Sequence, residues 1–168
     1  MAVGEGWDVA PEDRPWSDFH WWKVPVKGCL VLALVGEKPL YYVGHYVEGR
    51  MWPCLGSECG LCKKAVGSQI RYVIGAVEVT TRRVGILEVG RSNGMLIRDW
   101  VGARGAMTGQ VIELEKHSHA RTSRTEVRRV DKEVGPWIHQ VQVPDLRKAL
   151  ILTWQKANMP IPPGMSER

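Results

Sequence analysis

The amino-acid sequence predicts a mainly β protein with few helices. Short segments rich in Val, Ile, Leu and Tyr recur along the chain, and segments containing glycine or proline separate them. Only two segments place their apolar residues at helical spacing. The length of 168 residues is typical of one domain with its own hydrophobic core.

The first third of the chain contains an arm and two predicted strands. Residues 1–15 include Gly and Pro at four positions and are expected to form a flexible acidic arm. The aromatic segment "WSDFHWWKVPV" follows. The apolar run "GCLVLALVG" (28–36) lies between glycines and predicts a buried strand, and "LYYVGHYV" (40–47) predicts a second strand after a turn at "EKP".

Further strands are predicted after residue 67. The segment "SQIRYVIGAVEVTT" (68–81) alternates in the manner of a strand, and "RRVGILEVG" (82–90) is its continuation or hairpin partner. Strands are also predicted at "GQVIELEKH" (109–117), in "ARTSRTEVRRVDKEV" (120–134) around residues 125–130, and at "GPWIHQVQV" (135–143).

Two helices are predicted. The segment "RSNGMLIRDWVGARG" (91–105) changes to helical spacing, with Ser92 as a possible N-cap. "DLRKALILTWQKAN" (145–158) has the clearer pattern, with Asp145 as N-cap and Pro160 ending the helix. We expect Trp100, Trp137 and Trp154 to be packing residues.

The segment "HYVEGRMWPCLGSECGLCKK" (45–64) concentrates side chains that bind metals. Its spacing is His45-x8-Cys54-x4-Cys59-x2-Cys62. A C-x2-C turn allows two thiolates to bind one ion, and three sulfurs with one imidazole nitrogen complete a closed tetrahedral site of the structural kind. Thiolates disfavour magnesium and calcium. We predict one structural Zn²⁺ bound by His45, Cys54, Cys59 and Cys62.

Other interpretations of these residues stay open at this stage. His117 or His119 in "KHSHA" could replace His45 as the fourth ligand, and the cysteines could form a loop of reduced thiols without a metal. Cys29 lies inside an apolar run and is expected to be a buried core thiol.

The element order predicts a particular β architecture. From residue 28 to 131 the order is strand, strand, strand, short helix, strand, strand, which is the order of a five-stranded Greek-key barrel of OB type. We therefore predict an OB-type barrel with a zinc-binding loop insertion, a short helix before the fourth strand and a C-terminal helix. The domain is expected to span residues 16–158, with residues 159–168 as a tail.

The charge distribution favours a polyanionic partner. Residues 1–20 carry a net charge of −4, whereas the whole chain carries +5, so the remaining chain carries +9. A basic body is typical of nucleic-acid-binding proteins, although a solvated basic surface without a partner gives the same count.

The metal spacing between early strands resembles that of the zinc-containing single-stranded-DNA-binding proteins of tailed phages. The resemblance covers residues 28 to 131, and "RYVIGAVEV" and "GAMTGQVIELEKHSHARTSRTEV" resemble that family's arginine–aromatic strand and late hairpin. It implies an OB fold, a structural zinc and non-catalytic binding of single-stranded nucleic acid, with DNA favoured over RNA. The acidic tail usual in that family is not matched by the final "PIPPGMSER".

Single strands bind to cationic grooves with aromatic faces on which bases stack. Tyr41 and Tyr42 point to opposite faces of a regular strand, so at most one can face such a groove. Trp52 lies inside the metal loop, which would hold its indole rigidly. The predicted nucleic-acid contacts are Trp52, Tyr42, Arg71, Tyr72, Arg82, Arg83, Lys116, Arg121, Arg124, Arg128 and Arg129.

Two other function classes are considered. The "HSH" segment with Glu115 or Glu126 could hold a catalytic metal, but the basic surroundings disfavour a cation, so we expect no enzyme. A zinc-stabilised adaptor that binds a protein partner through Trp21 and Trp22 or through the C-terminal helix is the main alternative.

The sequence also predicts an intracellular protein. Its longest uncharged apolar run is too short to span a bilayer, and its N-terminus lacks a basic start followed by an apolar stretch. Clustered cysteines in a reducing compartment bind metals more often than they form disulfides. We therefore expect a cytoplasmic protein without a membrane partner, which is nucleoid-associated if it binds single-stranded DNA.

Overall fold

The computed structural model describes residues 19–117 and 124–165, so the predicted arm and Arg121 lie outside the described residues. The strands are β1 (Cys29–Val47), β2 (Arg50–Pro53), β3 (Ser68–Glu78), β4 (Val84–Gly90), β5 (Val111–Lys116) and β6 (Thr125–Val130). The helices are α1 (Gly60–Lys63), α2 (Arg91–Arg104) and α3 (Leu146–Lys156). The prediction of a mainly β fold is confirmed.

The six strands form one antiparallel sheet in the order β4-β3-β1-β5-β6, with β2 paired to β1. The strands β1, β3 and β4 lie side by side in chain order, and the chain then returns through α2 so that β5 pairs with β1. This arrangement is a Greek key. In the part of the chain that the structure describes, the sheet is open between β4 and β6.

The first strand differs from the prediction of two strands with a turn at "EKP". β1 continues from residue 29 to residue 47, and both of its halves pair with β3. The register passes from Val35↔Gly75 to Leu40↔Val73, so residues 36–39 form a bulge rather than a turn. Thr108 fixes the bulge, because its hydroxyl donates to the carbonyl of Gly36 and accepts from the Gly36 N–H, at 3.0 and 3.1 Å.

The predicted strand at 135–143 is wrong. Residues Pro136–Gln140 form a 3-10 turn, and Ile138 inserts into the core on one face of the sheet. Proline at the first position of the turn sets a helical φ and cannot donate to a neighbouring strand. The alternation in this segment therefore reflects packing onto a sheet face.

Both faces of the sheet are covered. On one face, Leu32, Leu34 and Ile74 form a first core with Ile97 of α2. On the opposite face, α3 covers Tyr42, Val73 and Ile86, and the 3-10 turn covers a smaller third core. Trp100, Trp137 and Trp154 all pack against these cores, as predicted.

The C-terminal region packs more extensively than the predicted tail. Asp145 caps α3 by accepting from the N–H of Lys148 at 3.0 Å, as the sequence indicated. Beyond the helix, Met159 is buried and Met165 packs against the same core. Arg147 holds this segment by donating to the carbonyl of Met165.

The N-terminal part of the described chain protects a sheet edge. Trp21 forms a parallel bridge with Ile86, and the N–H of Trp22 donates to the carbonyl of Ile86 at 2.8 Å. The Trp22 indole donates to the carbonyl of Ala76 at 3.2 Å and packs on the first core. Both tryptophans therefore stabilise the edge of β4, where an uncovered strand would promote aggregation.

Candidate metal centre and nucleic-acid interface

The residues after β1 form a compact loop around His45. Glu48 and Gly49 have φ of 49° and 83° and reverse the chain into β2, which places Trp52 opposite His45. The N–H of Cys54 then donates to the carbonyl of Val43 at 2.8 Å. A 3-10 turn (Gly56–Glu58) and the short α1 follow, so the C-x2-C turn lies over the same end of β1.

The four predicted ligand atoms meet at one point. The side-chain donor atoms of His45, Cys54, Cys59 and Cys62 lie within 4.8 Å of one another. The Nε2 atom of His45 is 3.5 Å from Sγ of Cys59 and 3.4 Å from Sγ of Cys62, and the sulfurs of Cys54 and Cys62 are 3.6 Å apart.

These separations fit a tetrahedral metal. Zinc–sulfur bonds of about 2.3 Å and zinc–nitrogen bonds of about 2.0 Å require sulfur–sulfur edges of about 3.8 Å and sulfur–nitrogen edges of about 3.5 Å. The cluster is therefore compatible with a structural metal site. Among the described residues it is the one group of three or more His, Cys, Asp or Glu side chains that could hold an ion, and it does not include His117.

The imidazole of His45 is oriented for metal binding. Its side chain is fully buried, and Nδ1 lies 3.1 Å from the carbonyl oxygens of both Val66 and Gly67. A proton on Nδ1 that is donated to these carbonyls leaves the Nε2 lone pair directed at the cysteines, as in many metal-ligating histidines. The carbonyl groups of Val66 and Gly67 thus favour the His45 tautomer that carries its proton on Nδ1.

The thiols also have the chemistry of a cation site. Hydrogen bonds from the backbone, first at Leu55 and then at Cys62, lower the pKa of the Cys59 thiol. The neighbouring Cys54 raises the pKa of Cys62. Three thiols this close cannot all ionise without a cation, and thiolate is the form that binds metals. Cys29 is exposed at the start of β1, so the prediction of a buried core thiol is wrong.

Among the predicted stacking residues, Tyr42 belongs to the core. Its side chain is 7% exposed, and its ring lies 5.2 Å from Trp154 in an edge-to-face arrangement. The hydroxyl donates to Glu88 at 3.1 Å, and burial and then that carboxylate raise the pKa of Tyr42. A base cannot stack on a ring that α3 covers, so Tyr42 is not available as a contact in this structure.

The exposed aromatic residue of this strand is Tyr41. Its side chain is 65% exposed and pairs in register with Tyr72 of β3, with ring centroids 6.2 Å apart. Tyr72 is partly buried against the first core, directly over Gly94 of α2. Trp52 is partly buried against the second core, so the metal loop does not present it as a free face.

The arginines predicted on β3 and β4 do not converge on one surface. Arg71 donates to Glu88 at 2.9 Å near the metal end of β3. Arg82 and Arg83 follow the other end, beyond the Val77↔Val84 pair, and the Arg82 guanidinium lies 4.6 Å from the ring centroid of Trp137. Arg71 and Val77 are six residues apart along β3, so about 20 Å separates Arg71 from the end of the strand that Arg82 and Arg83 follow.

The β5–β6 hairpin is less cationic on one face than its sequence indicates. Arg128 contacts three carboxylates, Glu115 and Glu126 at 3.2 Å and Glu113 at 4.0 Å. His117 lies 2.6 Å from Glu126, and its hydrogen bond, followed by that of Arg128, lowers the pKa of Glu126. The charge of Arg128 is therefore largely neutralised.

The other basic residues of the hairpin are placed differently. Lys116 pairs with Thr125 at the end of β5, and Arg129 is exposed on β6 opposite Ile112. Arg124 is exposed and lines a cavity that Arg71 also lines.

That cavity of about 820 Å³ lies where the ends of β4 and β6 approach each other. Arg91 and Asn93, in the first turn of α2, also line it, and Asn93 donates to the carbonyl of Thr125 at 2.8 Å. The sequence predicts only a helix for this segment and indicates no functional role for these residues. The signal in the sequence is that Arg91 comes directly after a predicted strand. In the structure the last residue of that strand, Gly90, pairs with Arg71.

Two general findings complete the description. None of the helices in residues 19–117 and 124–165 has the length and apolar character that a bilayer-spanning segment needs. Comparisons with protein-family models, with curated proteins and with solved structures each found no match to this chain.

Proposed function

We propose that this protein binds single-stranded nucleic acid without catalysis, through a cationic and aromatic surface that a structural zinc site braces. The observation that carries the proposal is the convergence, at one end of the sheet, of exposed Tyr41, the arginine-lined cavity and the metal cluster. Tyr41 pairs with Tyr72 of β3, and Tyr72 pairs with Val89 of β4, which lines the cavity. DNA is favoured over RNA only through the resemblance of the sequence.

The sheet topology supports an OB-type interpretation of the fold. The Greek-key order, with a helix between β4 and β5, corresponds to a five-stranded barrel that is left open between β4 and β6. OB folds bind oligonucleotides at one side of such a barrel. In this chain α3 covers the face with Tyr42, whereas α2 covers only part of the opposite face and leaves Tyr41 exposed to a nucleic-acid strand.

The zinc proposal depends on the mixed sulfur and nitrogen donor set, which zinc accepts in a closed site. We expect one zinc per chain by elemental analysis of protein purified under reducing conditions. Cys59→Ser should remove it, whereas Cys29→Ser, a matched change at an exposed cysteine outside the cluster, should retain it. Metal-free wild-type protein would contradict the proposal.

Binding is tested by fluorescence anisotropy with a labelled oligothymidylate of 30 nucleotides, its oligouridylate equivalent and a DNA duplex. We expect saturable binding of the single strands and none of the duplex at about 50 mM salt. With two phosphate contacts, at Arg91 and Arg124, log affinity should fall with log salt at a slope of about −1.4. An affinity that salt does not change would refute the interface.

The stacking role has its own control within β1. Tyr41→Ala should weaken oligonucleotide binding by about 1–3 kcal/mol, the usual effect of losing one stacked base. Tyr46→Ala removes a tyrosine that is 55% exposed and lies an odd number of residues along the same strand, so it points to the opposite face. Equal effects of both substitutions would exclude a specific stacking face.

A second candidate is a protein-docking module, and one observation favours it. A cavity of about 530 Å³ between α3 and the sheet is lined mainly by apolar side chains, including Trp21, Met51 and Trp154. An apolar side chain of a partner could insert there. This candidate is preferred if none of the three nucleic acids binds.

A further inference from the structure

The cavity between β4 and β6 combines an apolar floor with a polar rim. Val24, Val89, Leu114 and Val127 contribute apolar side chains; Val89, Leu114 and Val127 belong to the first core, and Val24 packs against it. The volume of about 820 Å³ is within the range of small-molecule sites. A floor of this kind suits a flat, weakly polar ring.

The rim carries cations that have no carboxylate partner within the described chain. Glu88 and Glu126 are the two acids at the cavity, and each is engaged, Glu88 by Arg71 and Glu126 by His117. For Arg91 and Arg124, no ion pair occurs among residues 19–117 and 124–165. Their guanidinium groups suit an anion such as phosphate, which they can bind through two parallel hydrogen bonds.

Uncharged polar groups lie between the floor and the cations. Gln69, Asn93 and Thr125 line the cavity, and the Asn93 amide uses one of its N–H groups on the carbonyl of Thr125. Its carbonyl oxygen and second N–H stay available, because an amide offers two donors and one acceptor oxygen. These groups match the hydrogen-bonding edge of a nucleobase.

We propose that this cavity is a nucleotide pocket, in which one base of the bound strand inserts between β4 and β6 and its phosphate contacts Arg91 and Arg124. The inference rests on the proposed function and specifies where the strand is held. A simple anion site would not need the four apolar residues, and an apolar ligand would not need the two arginines. A nucleotide uses both parts of the cavity, and Tyr41 can receive a neighbouring base.

The first experiment uses the smallest probes. Uniformly ¹⁵N-labelled protein is titrated with thymidine 5′-monophosphate, with thymidine and with inorganic phosphate, and amide shifts are followed by NMR. We expect saturable shifts around Asn93 and Thr125 with the nucleotide, and at least tenfold weaker binding of thymidine and of phosphate. Phosphate that binds as tightly as the nucleotide, or a nucleotide that produces no saturable shift there, would overturn the proposal.

The second experiment fills the cavity. Leu96 lines it from α2 and is partly exposed, so Leu96→Trp adds bulk at the opening without emptying the core. The matched control is Arg98→Trp on the same helix, because Arg98 is exposed, bonds Asp99 and does not line the cavity. Leu96→Trp should weaken nucleotide and oligothymidylate binding at least tenfold, and Arg98→Trp less than twofold.

The outcomes separate this inference from the proposed function. If oligothymidylate binds equally to wild type and Leu96→Trp, the function stands and the pocket is wrong. If the nucleotide binds at the cavity but no oligonucleotide binds, the pocket stands and the function is wrong. If neither ligand binds wild-type protein, both are overturned. Circular dichroism and urea unfolding of both variants serve to test whether they fold like the wild type.

Discussion

Gly94, in the first half of α2, is the position at which one added methyl group reports on the packing between this helix and the sheet. A Cβ atom at Gly94 would lie 2.1 Å from Cδ2 and 2.6 Å from Cγ of Tyr72. The Tyr72 ring or the helix must therefore move when alanine replaces this glycine. Overpacking of this kind destabilises proteins by about 1–3 kcal/mol.

A second effect has the opposite sign. Alanine favours the helical backbone over glycine by about 0.5–1 kcal/mol. The net change for Gly94→Ala is thus a loss of about 0–2.5 kcal/mol in the free energy of unfolding. Gly102→Ala on the same helix provides the control, because a Cβ atom there would have no neighbour within 4 Å. It should stabilise the protein by about 0.5–1 kcal/mol.

Urea unfolding followed by far-UV circular dichroism measures both variants. The difference between the two substitutions isolates the contact with Tyr72, and we expect about 1–3 kcal/mol. In a Tyr72→Ala background the clash disappears, so Gly94→Ala should stabilise as Gly102→Ala does. If Gly94→Ala stabilises the wild-type background as much as Gly102→Ala, then Tyr72 does not lie over α2 as described.

Three further predictions concern the β4 edge, the second core and the hairpin. Gly85→Ala would place a Cβ atom 2.6 Å from the Trp22 indole nitrogen. We therefore expect the free energy of unfolding to fall by about 1–3 kcal/mol and tryptophan emission to shift to the red. Unchanged emission would contradict the packing of Trp22 on the β4 edge. Tyr42→Phe removes a hydrogen bond to the Glu88 carboxylate and should cost about 1.5–3 kcal/mol in urea unfolding, whereas no loss would mean that water replaces the hydroxyl. Arg128→Gln should change oligothymidylate affinity less than twofold in the anisotropy assay, because three carboxylates already form ion pairs with the Arg128 guanidinium. A large loss of affinity would mean that Arg128 contacts a phosphate of the bound strand.

The metal cluster was largely predictable from sequence because it is local. Three ligands come from one short loop, and the fourth, His45, lies at the end of the strand that leads into it. A C-x2-C turn and a short connection can bring such residues together in few ways. The hydrogen bonds that orient His45 involve Val66 and Gly67, which no spacing rule indicates.

The proposed nucleic-acid surface was less predictable, because it depends on contacts between distant segments. The alternation of a strand requires Tyr41 and Tyr42 to point to opposite faces, but the packing of α3 decides that Tyr42 is the buried one. Likewise, a count of basic residues cannot distinguish Arg128, which three carboxylates hold, from Arg124, which lines the cavity.

The sequence by itself determined the mainly β class, the two longer helices and the four residues that can hold a metal, because periodicity and ligand spacing act over short distances along the chain. Only the tertiary structure decided that residues 29–47 form one bent strand, that both sheet faces are covered and that Arg91 joins Arg124 at one cavity. These features depend on strand register and on helix docking, which follow from the summed packing of the whole chain.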